Sequence, residues 1–162
     1  MNPIVVKFGG SSLATAGQFE KVAAIIRENP GRRYVVASAP GKRFSGDTKV
    51  TDLLYRCYDA ACAGQDFAPV LDEIRQRFAD IISELQLQVD LAPDFAAIEA
   101  HLRTSPQRDY MASRGEYLNS KLLAAYLGFA FVDAAQMVLF RADGSFDAEA
   151  TNTAIGHALV SI

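Results

Sequence analysis

A lysine, two glycines and two hydroxyl residues follow one another at Lys7-Phe8-Gly9-Gly10-Ser11-Ser12, directly after the apolar run Ile4-Val5-Val6. That order reads as a strand, a turn and then the approach to a helix. Ligands of open α/β sheets bind beyond the carboxyl ends of the strands. Glycines there let the backbone come close to a phosphate, and successive N–H groups make an anion cradle. The lysine adds positive charge for a phosphoryl group in transfer. A plain tight turn with a solvated lysine would use the same residues. The segment is not a nucleotide loop of the Walker type: Lys42 is followed by Arg43, and Val36 stands where a glycine would be needed. Nor does any G-x-G-x-x-G occur.

Three further segments carry chemistry-bearing residues. Ser38-Ala39-Pro40-Gly41-Lys42 closes a second apolar run, where the Ser38 hydroxyl is placed either to meet a substrate carboxylate or phosphate or to satisfy its own turn. In Lys49-Val50-Thr51-Asp52, Thr51 sits at the start of a helical pattern. A free hydroxyl at a helix N-terminus suits a carboxylate, and helix capping explains it almost as well. In Ser113-Arg114-Gly115-Glu116, Gly115 interrupts a helical pattern at a cost of about 1 kcal/mol relative to alanine, which argues for a backbone need. Glu116 could bind an ammonium group or lie on a charged helix face.

The elements that must position these residues alternate strand, helix, strand, the signature of a βαβ unit with parallel strands. Thr15 reads as an N-cap with Gln18 closing a capping box, and Phe19, Val22, Ala23 and Ile26 repeat at helical spacing. Tyr34-Val35-Val36-Ala37 is the second strand, with little polar alternation, as in a sheet covered on both faces. Helices are expected over 50–63, from a cap at Asp66 through Leu85, from Pro93 to about Arg103, and over 108–127, with Gly128 ending the last. Residues 129–132 read as a third strand, 138–140 as a fourth, and Asp147 as the cap of a closing helix. The expected fold is α/β, three-layered αβα with a mostly parallel central sheet.

The chain has 162 residues, half of them apolar, and a net charge of −3. That balance suits one compact unit and gives no reason to expect nucleic acid or an anionic membrane surface as partner. No apolar run is long enough to span a bilayer. Cys57 and Cys62 are the only cysteines and read as small side chains in or near the core, which fits a reducing cytoplasm. They make no metal site, and His101 and His157 are distant in sequence and read as ordinary surface or half-buried residues.

Taken together, Lys7-Phe8-Gly9-Gly10-Ser11-Ser12, Ser38-Ala39-Pro40-Gly41, Lys49-Val50-Thr51-Asp52-Leu53-Leu54 and Ser113-Arg114-Gly115-Glu116 resemble the aspartate kinases of the amino-acid-kinase superfamily. Asn119-Ser120-Lys121-Leu122 and Phe131-Val132-Asp133-Ala134 add to the likeness. The resemblance implies transfer of the ATP γ-phosphate, with Mg2+, to the side-chain carboxylate of L-aspartate, the first step toward lysine, threonine and methionine. By the same likeness Lys7 holds the transferring phosphate, Gly9, Gly10 and Ser11 form the phosphate loop, and Ser38, Thr51 and Glu116 line the aspartate pocket, Glu116 facing the ammonium. The enzyme so implied is a cytoplasmic homo-oligomer.

The likeness covers only an amino-terminal lobe, with a helical insertion over about 64–112. No R-G-G-S-D segment occurs in the sequence, and the nucleotide lobe and regulatory domains of the family are missing. The isolated chain is therefore expected to be inactive as a kinase. The rival readings are an acetylglutamate or glutamate kinase of the same superfamily, and a non-catalytic binding or assembly module.

Overall fold

The computed structural model describes residues 3–160 and divides into two units, Met1–Gly128 and Phe129–Ile162. In the first unit, β1 (Ile4–Phe8) and β2 (Arg32–Ala37) pair in parallel, with Val6 opposite Val35 and Phe8 opposite Ala37. The helix α1 (Ala16–Arg27) makes the crossover between them. Thr15 is its N-cap by backbone geometry, but its side chain makes no capping bond, so the expected capping box does not form. The repeat Phe19, Val22, Ala23, Ile26 is buried along one face, as its spacing predicts.

Four more helices complete this unit: α2 (Val50–Cys62), α3 (Ala68–Glu84), α4 (Ala92–Thr104) and α5 (Arg108–Leu127). Each places an apolar stripe in one shared core: Leu53 and Leu54 from α2, Leu71, Ile74 and Phe78 from α3, Phe95 and Ile98 from α4, Met111, Leu118 and Leu122 from α5. Phe78 and Phe95 meet edge to face at 6.1 Å. Asp66 bonds the Ala68 N–H at 2.9 Å just before α3, and Gly128 ends α5 with φ +72°, a conformation glycine adopts without strain. Ion pairs tie the helices across their outer faces, Arg75 to Glu99 and Lys121 to Asp94.

One face of the sheet, carrying Val6, Phe8 and Val35, packs on this core. The alternate residues Val5 and Val36 are 67% and 48% exposed. Cys57 is buried, and burial pushes its thiol up to about 11, whereas Cys62 is exposed rather than near the core.

In the second unit the expected third and fourth strands do not form. Residues 129–132 join no strand, and Phe140 makes a single antiparallel bridge with Phe146 around a turn at Gly144. A strand is a pairing rather than a local property, and here the backbone is engaged locally. Asp147 N–H bonds the Leu139 carbonyl at 2.9 Å, and the Leu139 N–H bonds Thr151 Oγ1 at 2.9 Å. Asp147 caps α6 (Ala148–Val160) by accepting the Ala150 N–H at 3.0 Å, as read from the sequence. The last residues of the expected helix, 161–162, lie outside the described residues.

Candidate active site

The loops that follow β1 and β2 are locked together backbone to backbone. Ser38 N–H bonds the Phe8 carbonyl at 3.1 Å, extending the parallel ladder by one step. Gly41 N–H then bonds the Gly10 carbonyl at 2.8 Å. Neither glycine leaves room for a side chain. A Cβ on Gly10 would lie 2.7 Å from the Ala39 carbonyl oxygen, and one on Gly41 would lie 2.7 Å from the Gly10 carbonyl carbon. The glycines are thus required by close approach of two chain segments. Residues Gly10–Leu13 form a 3₁₀ turn directly after Gly9, and the first N–H groups of such a turn have no acceptor inside it.

Two helices close on this pair of loops. The Val50 N–H at the start of α2 bonds the Pro40 carbonyl at 3.1 Å, which sets Thr51 beside the loop. From α5, Asn119 Nδ2 donates to the Ser38 carbonyl at 2.7 Å, and Gly115 sits so close that an added Cβ would lie 2.7 Å from Ala39 Cβ. The backbone need suspected at Gly115 is therefore a helix-to-loop contact, and Glu116, the next residue of α5, is exposed. Asn119 is fully buried, with Oδ1 lacking a partner among the described residues.

The loop between β2 and α2 is held from inside. Arg43 donates through Nε and Nη2 to the two oxygens of Asp47, each at 2.9 Å, and Asp47 is only 7% exposed. These bonds hold the Asp47 carboxyl well below the usual carboxylate range. Arg77 reaches the same loop from α3: Nη2 donates to the Gly41 carbonyl at 2.6 Å and Nη1 to the Thr48 carbonyl at 2.5 Å, with Asp47 Oδ2 3.5 Å away. Neither residue was singled out from the sequence. The signal for Arg77 was its place on the apolar face of α3, three residues after Ile74 and four before Ile81.

Lys7, Gly9, Gly10, Ser11, Ser38 and Thr51 thus come from three segments joined by backbone hydrogen bonds, and Glu116 from α5, which meets them through Asn119 and Gly115. Lys7 pairs with Val36 in the sheet register, one step before the two loops. Thr51 does not cap α2, whose N-cap is Lys49 and carries no side-chain capping bond. The side chains of Lys7, Ser38, Thr51 and Glu116 make no hydrogen bond or ion pair among the described residues. Capping and turn duty therefore do not occupy these hydroxyls. Among the described residues no three His, Cys, Asp or Glu side chains gather as a metal site.

Comparison with known proteins places the chain. The model of the amino acid kinase family matches residues 2–159. Aspartokinase 3 of Bacillus subtilis (strain 168) is 39% identical over 137 residues, covering 80% of this chain and 30% of that protein. The crystal structure of Clostridium acetobutylicum aspartate kinase is 42% identical with a TM-score of 0.95, covering 99% of this chain and 37% of that one. Aspartokinase III of E. coli, solved in complex with aspartate and ADP, shares the fold at TM-score 0.75 and 20% identity, over 99% of this chain and 38% of that one. The chain spans 30% to 38% of these relatives' lengths.

Proposed function

The chain belongs to the amino acid kinase family, and we propose that it is the acceptor-side, amino-terminal part of an aspartate kinase. In that reading a side-chain carboxylate oxygen of L-aspartate attacks the γ-phosphorus of Mg·ATP. The bond from that phosphorus to the β,γ-bridging oxygen breaks, giving aspartyl phosphate and ADP. Such transfers need alignment and charge neutralisation more than covalent chemistry from the protein. Lys7 neutralises the transferring group, and Gly9, Gly10 and Ser11 approach it through the backbone. Ser38 and Thr51 offer hydroxyls to the acceptor, and Glu116 takes its ammonium. Magnesium enters with the nucleotide phosphates.

The observation that supports this reading is the pair of interlocked glycine loops at the carboxyl ends of parallel strands, with the start of α2 and Gly115 of α5 held against them. The reading brings with it a cytoplasmic homo-oligomer serving lysine, threonine and methionine synthesis. Calorimetric titration with L-aspartate, L-glutamate and N-acetyl-L-glutamate tests the acceptor class. Saturable binding of L-aspartate alone is expected. Preference for either of the other two assigns the site to a sister kinase instead.

A further inference from the structure

We propose that Arg77 is a positioning residue of this site, fixing the phosphate-side loop and the start of α2 from within the helical segment 64–112. The inference rests on the aspartate kinase reading for what the loops bind, and on geometry alone for what holds them.

Arg77 is 4% exposed, and its fork spans both ends of the 41–48 loop, through the Gly41 and Thr48 carbonyls. The first contact is one hydrogen bond from Gly10, and the second lies three residues before Thr51. Gly41 passes the constraint to Gly10 through its own N–H, at 2.8 Å. Thr48 leads into Val50, whose N–H is bonded to Pro40, and then into Thr51. The planar guanidinium donates in two fixed directions at once, which a lysine ammonium on a flexible stem cannot reproduce. Asp47 lies 3.5 Å from Arg77 and is bonded bidentately by Arg43, so the buried cation has a counter-charge in the same loop. Nε of Arg77 has no partner among the described residues. A buried cation with an unmet donor is a costly way to fill a helix face that Ile74, Phe78 and Ile81 otherwise fill with apolar groups. Its two carbonyl contacts account for its presence. The segment 64–112, which we read as an insertion, thereby supplies part of the scaffold of the site.

The test uses amide hydrogen exchange of the 162-residue chain, read at Gly41 and Val50, whose N–H groups report the two held contacts, and at Val22 and Ala23 of α1 as reference. Arg77→Lys keeps the cation but loses the fork, and Arg77→Met removes both. Exchange at Gly41 and Val50 is expected to quicken by about tenfold in Arg77→Lys, the loss of one net hydrogen bond, with Val22 and Ala23 unchanged. L-aspartate affinity should fall by about tenfold in the same variant, with the melting midpoint lowered by no more than the few degrees that one hydrogen bond is worth. Equal acceleration at all four amides would make Arg77 a general stabiliser, and wild-type exchange at Gly41 and Val50 would remove it from the site; either result overturns the proposal. A wild-type chain that binds no aspartate would instead count against the kinase reading, while the exchange pattern still decides the role of Arg77.

Discussion

Asp47 accepts from Nε and Nη2 of Arg43 and lies 3.5 Å from Arg77, and this fixes how acid acts on the molecule. The side-chain bond from Arg43 outweighs desolvation and holds its carboxyl well below the ordinary 3.8. A carboxyl depressed in the folded state stabilises the fold above its unfolded value, and that stability is lost as pH falls through the folded one. Part of the acid sensitivity below about pH 4 should therefore disappear in Asp47→Asn, which should also lose about 1–3 kcal/mol at neutral pH. Urea melts at neutral and acid pH check both, and parallel acid profiles in the two proteins would contradict the account. At this scale the sequence showed which residue types could act, because Lys7, Gly9, Gly10, Ser38, Thr51 and Glu116 lie in short contiguous motifs. It did not show the bonds of Arg77 to the 41–48 loop or the bond from Asn119 to Ser38, since each depends on partners far away in the chain.

Elements meet at the site through glycine. Gly115 of α5 faces Ala39 with no space for a methyl group, and alanine there must push the helix from the loop. Gly115→Ala gains about 1 kcal/mol of helix propensity and should still be net destabilising by about 1–3 kcal/mol through overpacking. Thermal melts check the sign, and a stabilised Gly115→Ala would show that α5 does not press on the loop. The helices were legible because their apolar positions recur at 3.6-residue spacing and end at recognisable signals, Gly128 among them. The strands were less so. Ile4–Phe8 and Arg32–Ala37 found each other across a helical crossover, whereas 129–132 and 138–140 have the composition of strands but, apart from the single Phe140–Phe146 bridge, no pairing among the described residues.

The 162-residue chain spans 30% of the Bacillus relative and 37% of the Clostridium enzyme. We expect no ADP release from Mg·ATP with L-aspartate, because the sequence contains no R-G-G-S-D segment. Robust aspartate-dependent release from the purified chain would contradict this. Apolar side chains remain exposed in both units, Val5 and Val36 in the first and Phe140 and Phe146 in the second. Exposed groups of this kind favour self-association, so light scattering should find a species larger than the monomer, and a strict monomer would count against it. The central claim is that these residues form an aspartate acceptor site, and Glu116 tests it most directly. Calorimetric titration with L-aspartate should give saturable binding to the wild-type chain that is lost in Glu116→Ala, with folding preserved by circular dichroism. Binding that survives unchanged in Glu116→Ala would contradict the assignment of the site.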